Sequence, residues 1–347
     1  MQTEKLIRNK EMTKFAVVGV HENIGREILN FMAEDGIKVS DVLAVDVNSP
    51  LGTQVSYGED DDLDVLNLES FDFSKADVAV FATTQEQAKR YIPKALNAKI
   101  KVVDTTGAYF SDSDVPMIIA GVNDEKAAAA AKGVVSIPSA SVTQLLLPLK
   151  AIDEKYKIKR LVVTAYTSAS VYGTAAMDEL FSQTRKIFMN ESLVDDQNVF
   201  HKQIAFNLIP QVGEFIGEET SFEWAVNAET KKILHDDIKV HANFAVVPAF
   251  IGEAQYVNVE CNGEVDVDEV RKLMKQTKGV VVFDKNVDGG YVSLADVQGD
   301  NDIYVSRLRQ DSSVENGISF WCGADNLRAG AAQNAFAVMK LLLKKSH

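Results

Sequence analysis

The sequence predicts an α/β protein of two domains: a doubly wound parallel sheet followed by an α+β unit. Three observations carry that prediction. Strand-type apolar runs alternate with helix-type segments through the first ~130 residues, the pattern of a parallel sheet with crossover helices. Beyond the segment SIPSAS the pattern shifts to β-rich stretches joined by short turns, which favours a mixed or antiparallel sheet. The length, 347 residues, exceeds the size at which one hydrophobic core usually stops growing.

The first organised element is KFAVVGV, a β-branched run of strand type, followed by HENIGREILNFMAEDG with apolar residues at helical spacing. VLAVDV, ADVAVFATT and KIKVVDTT read as further strands, and QEQAKRYIPKALNA as a helix between two of them. The acidic stretch GEDDDLD, residues 58–64, reads as a solvated loop. In the second half, VTQLLLPLKAIDEKY reads as a helix, RLVVTAYTSAS as a strand and GTAAMDELFSQTRKI as a second helix. HANFAVVPAF, AQYVNVEC, GVVVFD, DIYVSRLRQ and ENGISFWCGAD follow as strands. The chain closes on NLRAGAAQNAFAVMKLLLKK, an amphipathic helix whose basic end suits the helix macrodipole.

Composition excludes several classes. A hydrophobic content of 46% with 25% charged residues is ordinary for a globular protein, and no apolar run approaches the roughly 18 residues a membrane helix requires. The opening MQTEKLIRNKEM is polar, with no apolar core of the kind a secretory signal carries, so a cytoplasmic location is expected. Cys261 and Cys322 are the only cysteines, too few for a disulfide framework and without metal-site spacing. A net charge of −14 leaves no basic surplus to displace counterions, so nucleic acid is not an expected partner.

The turn after the first strand reads GVHENIG, with Gly19 and Gly25 at the outer positions of a GxxGxxG pattern and Glu22 in the middle. Glycines in such a loop let the backbone approach a dinucleotide pyrophosphate held at the helix N-terminus. A carboxylate at Glu22 would repel that phosphate unless it points into solvent. Asp46, at the end of the second strand, is placed either to hydrogen-bond a ribose hydroxyl, which favours NAD over NADP, or to stay solvated.

The ordered series AVVGxxxxxGREIL, VVDTTGAYxxDxDVP, GVN, TQLLLPLK, AFNLIPQV, AETKKIL, VVPAFxG, SRLRQD and ENGISFWCGADNLRAGAAQNA resembles the aspartate-semialdehyde dehydrogenase family from end to end. The resemblance implies a Rossmann-type dinucleotide-binding domain over 1–135 and 325–347, and a catalytic and dimerisation domain over 136–324. It also implies a homodimer, an NADP cofactor, and interconversion of aspartyl phosphate and aspartate semialdehyde through a thioester on a cysteine. Asn326 and Gly330 match the family's cofactor-facing region.

The residues that this chemistry needs are not where the resemblance puts them. Ala140, in IPSASV, stands at the family's cysteine, and Glu253, in VVPAFIGE, at its histidine base. Glu253 reads as a solvent-facing turn residue. The flanking Ser139 and Ser141 read as caps of the helix that begins there, since a serine nucleophile needs an adjacent base. Positions that would hold the substrate's anionic groups with cations are Phe110, Ala225 and Val246, and the substrate-orienting glutamine aligns with Thr167. Glu223 is either a retained acid of the substrate region or an exposed surface glutamate. Cys261 and Cys322 read as small apolar residues of strands, with Cys322 the alternative thiol because it lies nearer the ADN segment. This pattern matches the degenerate branch of the family that keeps the fold without the catalytic cysteine. The expected protein is an inactive, dimeric binding or assembly protein; the alternatives are an active NAD(P)-dependent semialdehyde dehydrogenase with altered residues, or a nucleotide sensor.

Overall fold

A computed structural model describes residues 13–47, 49–193 and 199–343. The polar opening segment and the basic end of the last helix lie outside the described residues. The chain divides into two compact units, one of residues 1–116, 127–136 and 335–347, the other of residues 117–126 and 137–334.

The first unit is built on β1 (Phe15–Val18), α1 (Asn23–Glu34), β2 (Val42–Asp46), β3 (Gln54–Tyr57), β4 (Asp61–Asn67), β5 (Val78–Phe81), α2 (Gln85–Asn97) and β6 (Lys101–Asp104). A short α3 (Glu125–Ala128) spans the division between units and precedes β7 (Val134–Ser136), the last strand of this sheet. The strand order is β3-β4-β2-β1-β5-β6-β7. Every pairing is parallel except the β3/β4 hairpin. β1 and β5 are buried along their whole length, as continuous apolar runs between helices must be. The acidic stretch expected to be a loop instead enters β4. Asp61, Asp62 and Asp64 are exposed while Leu63 and Val65 are buried, so the period-two alternation of DLDV places the carboxylates on the solvent side of an edge hairpin.

The second unit carries α4 (Ala140–Tyr156), β8 (Ile158–Thr167), α5 (Thr174–Phe188), a two-residue hairpin of β9 (Phe215–Ile216) and β10 (Glu219–Thr220), α6 (Ser221–Ile233), β11 (Lys239–Val246), β12 (Glu253–Cys261), α7 (Val267–Gln276), β13 (Val280–Val282), β14 (Ile303–Asp311) and β15 (Gly317–Ala324). Its six strands run β11-β8-β12-β15-β14-β13. The sheet is mixed: β12 pairs antiparallel with β8 and β15, β14 antiparallel with β15, and β11/β8 and β13/β14 are parallel. α4 is buried from Ser141 through Leu146 and again at Pro148, Leu149 and Ile152, far more than one helical stripe. It is therefore a core helix.

After β15 the chain forms a π-helical turn over Arg328–Ala332 and then α8 (Gln333–Leu343). Residues 325–334, read from sequence as part of the first domain, fall in the second unit. Two contacts account for this. Gly330 lies so close to Ala140 that a Cβ there would meet the Ala140 Cβ at 2.7 Å. The Asn334 amide, in turn, donates to Ile118 O and accepts from Ala120 N.

Candidate functional site

In the first unit the strand-to-helix turn has the glycines and the shape that the sequence suggested, and packing within the unit accounts for both. Gly19 sits at φ +96°, and a Cβ there would meet Ala82 O at 2.1 Å; a Cβ on Gly25 would meet Gly19 O at 2.0 Å. Only glycine fits either position. Glu22 is the exposed N-cap of α1 and makes no side-chain cap. Asp46 is buried at the end of β2, and its carboxylate is spent on its own loop. Oδ2 accepts from His21 N and pairs with His21 Nδ1, both at 2.9 Å, while Oδ1 accepts from Val47 N at 2.7 Å.

The second unit brings together the residues around Ala140. Ala140 is the first residue of α4 and Ser139 its N-cap, but the Ser139 hydroxyl does not cap the helix. It donates instead to Glu229 Oε2 at 2.7 Å, and Ser139 N donates to the same oxygen at 3.0 Å. The Ser141 hydroxyl donates to Glu253 Oε2 at 2.8 Å. Both serines thus depart from the expected capping role. The physical reason is that a buried carboxylate left short of donors costs more than a missing cap.

Glu253 corrects the sequence reading most sharply. It is 2% exposed, the first residue of β12, and paired on one side with Thr167 of β8 and on the other with Ala324 of β15. Its carboxylate faces α4, whose Ser141 hydroxyl reaches it. Its Oε1 accepts from Gln255 Nε2 at 2.7 Å. Burial pushes its carboxyl above the ordinary carboxylate range, and the bonds from Gln255 and Ser141 pull it partly back. Around this pair the amides close a network. Gln144 Nε2 donates to Glu253 O and Cys322 O, each at 3.2 Å, and Gln255 Nε2 donates to Ser141 O at 2.9 Å.

Glu229 is the residue the sequence reading passed over, quoting it only within the scaffold run AETKKIL. It is 8% exposed, and burial raises its carboxyl to about 7 against the opposing bonds from Ser139. A signal was present: Val226, Glu229, Thr230 and Ile233 make the buried stripe of α6, and an acid on such a stripe must find a partner.

Neither thiol has the surroundings of a reactive nucleophile. Cys322 is fully buried in β15, where burial pushes its thiol up to about 12, and Cys261 ends β12 with its thiol pushed up to about 11. A thiol held that high supplies almost no thiolate near neutrality. Val246 closes β11, fully buried and bridged to Ile209 in both directions. Ala225 lies half-buried on α6, and Phe110 lies in the first unit, also half-buried. Glu223 is half-buried at the start of α6 and committed to the helix end. It completes a capping box with Thr220, accepting from Thr220 N at 2.7 Å. Asn326 accepts from Gly252 N at 2.7 Å and from the Ser170 hydroxyl at 3.1 Å, so its oxygen ties two loops of the unit together. No group of three or more His, Cys, Asp or Glu side chains suited to a metal ion occurs among the described residues.

A parallel sheet with crossover helices and a mixed sheet backed by a buried helix make the fold of the semialdehyde dehydrogenases. Residues 14–130 match the model of the semialdehyde dehydrogenase NAD binding domain, and residues 149–329 that of the semialdehyde dehydrogenase dimerisation domain. The chain is 37% identical over 338 residues to the aspartate-semialdehyde dehydrogenase of Rickettsia bellii, covering 96% of this chain and 99% of that one. It is 32% identical to that of Aquifex aeolicus, over 96% of this chain and 98% of that one. The crystal structure of aspartate semialdehyde dehydrogenase II from Vibrio cholerae, complexed with ASA, superposes with a TM-score of 0.90 at 31% identity, covering 96% and 98% of the two chains. The chain belongs to the aspartate-semialdehyde dehydrogenase family. No helix among the described residues is long and apolar enough to cross a membrane.

Proposed function

We propose that this chain has lost the family's dehydrogenation and, non-catalytic in that reaction, works as a homodimeric binding or assembly protein. One observation carries the reading: the first residue of α4, where the family places its cysteine, is Ala140, and a methyl group forms no thioester. Its surroundings support it. The position of the family's base holds Glu253, buried and engaged by Ser141 and Gln255. Where cations would receive the substrate's anionic groups stand Phe110, Ala225 and Val246. Free, buried Cys261 and Cys322 fit a reducing, cytoplasmic compartment. The match of residues 149–329 to a dimerisation domain supports the homodimer.

The purified chain, given aspartate semialdehyde, phosphate and either NADP or NAD, should produce no reduced nicotinamide above the uncatalysed rate. Turnover comparable to a family enzyme's would overturn the reading. A monomeric mass by sedimentation at micromolar concentration would overturn the dimer. The near-full-length likeness to relatives named aspartate-semialdehyde dehydrogenase favours a second reading, an active enzyme with altered residues. The same turnover assay separates the two. The retained glycines of the β1–α1 turn favour a third, a nucleotide sensor, which titration with NAD and NADP separates from the first.

A further inference from the structure

We propose that Ser139 and Glu229 form an acyl-transfer dyad at the start of α4, which hydrolyses small, uncharged, activated esters. This goes beyond the loss of dehydrogenation and does not depend on it. The serine nucleophile that sequence alone left without a base has one in the structure. The Ser139 hydroxyl donates to Glu229 Oε2 at 2.7 Å, within the reach that defines a nucleophile and its base. Access differs in the useful sense. Ser139 is partly exposed, while Glu229 is buried on α6. Ser141 offers no competing nucleophile, being 3% exposed and committed to Glu253.

The helix start supplies the remaining element. An N-cap serine ordinarily spends its hydroxyl on the N–H groups of the first turn. Ser139 withholds it, and the N–H groups of Ala140 and Ser141 meet no acceptor among the described residues. These are fixed donors at the end of a 17-residue helix dipole, beside the nucleophile, where a developing oxyanion would sit. The charge pattern sets the substrate class. Two buried glutamates, Glu229 and Glu253, accept from the serines on either side of Ala140, so an acyl group carrying its own negative charge is disfavoured. Glu229, held near 7 by burial, is ionised at pH 8 and still basic enough to take a proton from a hydroxyl.

The steps balance. Ser139 Oγ bonds to the ester carbonyl carbon as its proton passes to Glu229, and the carbonyl electron pair moves to the oxygen facing the α4 N–H groups. Collapse breaks the carbon–oxygen bond to the leaving alcohol or phenol, which takes the proton from Glu229, and leaves acyl-Ser139. Water then attacks the acyl group with Glu229 as base; the carboxylic acid departs and Ser139 regains its proton.

The test uses the full-length chain and p-nitrophenyl acetate at pH 8, with nitrophenol release followed by absorbance and acetylated peptides by mass spectrometry. The expected result is an acetyl group on Ser139, absent in Ser139→Ala, forming about 100-fold more slowly in Glu229→Gln. The acetylation rate should rise with pH through about 7, the range in which Glu229 ionises. Acetylation confined to surface lysines, or an unchanged rate in Glu229→Gln, overturns the proposal. Fluorophosphonate labelling of the unmodified chain requires no variant to fold: an adduct on Ser139 supports the dyad, and its absence at millimolar reagent overturns it.

Discussion

Glu229→Gln should make the second unit more stable at pH 8 and leave it nearly unchanged at pH 5. The carboxyl of Glu229 moves from an ordinary 4.5 to about 7 on folding, chiefly because burial penalises the ionised form. At 1.36 kcal/mol for each tenfold change, that difference amounts to about 3 kcal/mol. The sign follows from the direction. A carboxyl raised in the folded state binds more protons there than in the unfolded chain, so its favourable contribution is complete below about 4.5 and is lost as pH rises through about 7. Glutamine keeps a carbonyl oxygen able to accept from both Ser139 N and Ser139 Oγ, while removing the charge that must be held dry above pH 7. Glu253 shifts in the same direction but is present in both proteins, so its contribution largely cancels in the difference. Urea unfolding followed by the fluorescence of Trp321, in β15 of the same unit, measures the effect at half-unit steps from pH 5 to 8. The variant should gain up to about 3 kcal/mol on the unmodified chain across that range. A difference that does not vary with pH would refute the argument that Glu229 is buried as a neutral acid.

Gly330→Ala places a Cβ 2.7 Å from Ala140 Cβ and 3.0 Å from Ala140 Cα, against helix backbone that cannot swing aside. The expected cost is about 1–3 kcal/mol, read as a lowered urea midpoint; an unchanged midpoint would mean that the π-helical turn yields freely. Ala140→Cys with Glu253→His should not restore aspartate-semialdehyde oxidation measured as nicotinamide reduction. The pair supplies thiol and imidazole but leaves Phe110, Ala225 and Val246, which the resemblance aligns with substrate-holding cations, uncharged, and each lost charge-assisted contact costs about 1.5–3 kcal/mol. It also strips Ser141 and Gln255 of their acceptor. Rescue near a family enzyme's rate would show that those positions do not hold the substrate. NADP should give no saturable heat at low micromolar concentration in titration calorimetry, because Glu22 stands exposed at the start of α1 and Asp46 is already engaged by its own loop. Tight saturable binding would show that the turn rearranges around the phosphates.

The order of strands and helices was legible because it rests on local periodicity. KFAVVGV, VLAVDV and ADVAVF became the buried parallel strands β1, β2 and β5, and the β-rich second half became one mixed sheet. The helix read from VTQLLLPLKAIDEKY was legible too, and it became α4, which begins at Ala140. The β3/β4 hairpin was not, because three aspartates outweighed the alternation of Leu63 and Val65 that marks the strand. Only the tertiary structure decided the roles of the carboxylates. Glu253 looked like a turn residue because VPAFIG precedes it, and it is buried because α4 covers that face of β12, with Ser141 and Gln144 both bonded to Glu253. Glu229 and Ser139 are 90 residues apart in the chain, and no local pattern in either segment announces their hydrogen bond. The sequence by itself determined which groups are present and absent at the start of α4. Which of them are dry, paired and held near a proton-transfer threshold depends on long-range burial, because desolvation is a property of everything packed around a side chain and not of its neighbours in the chain.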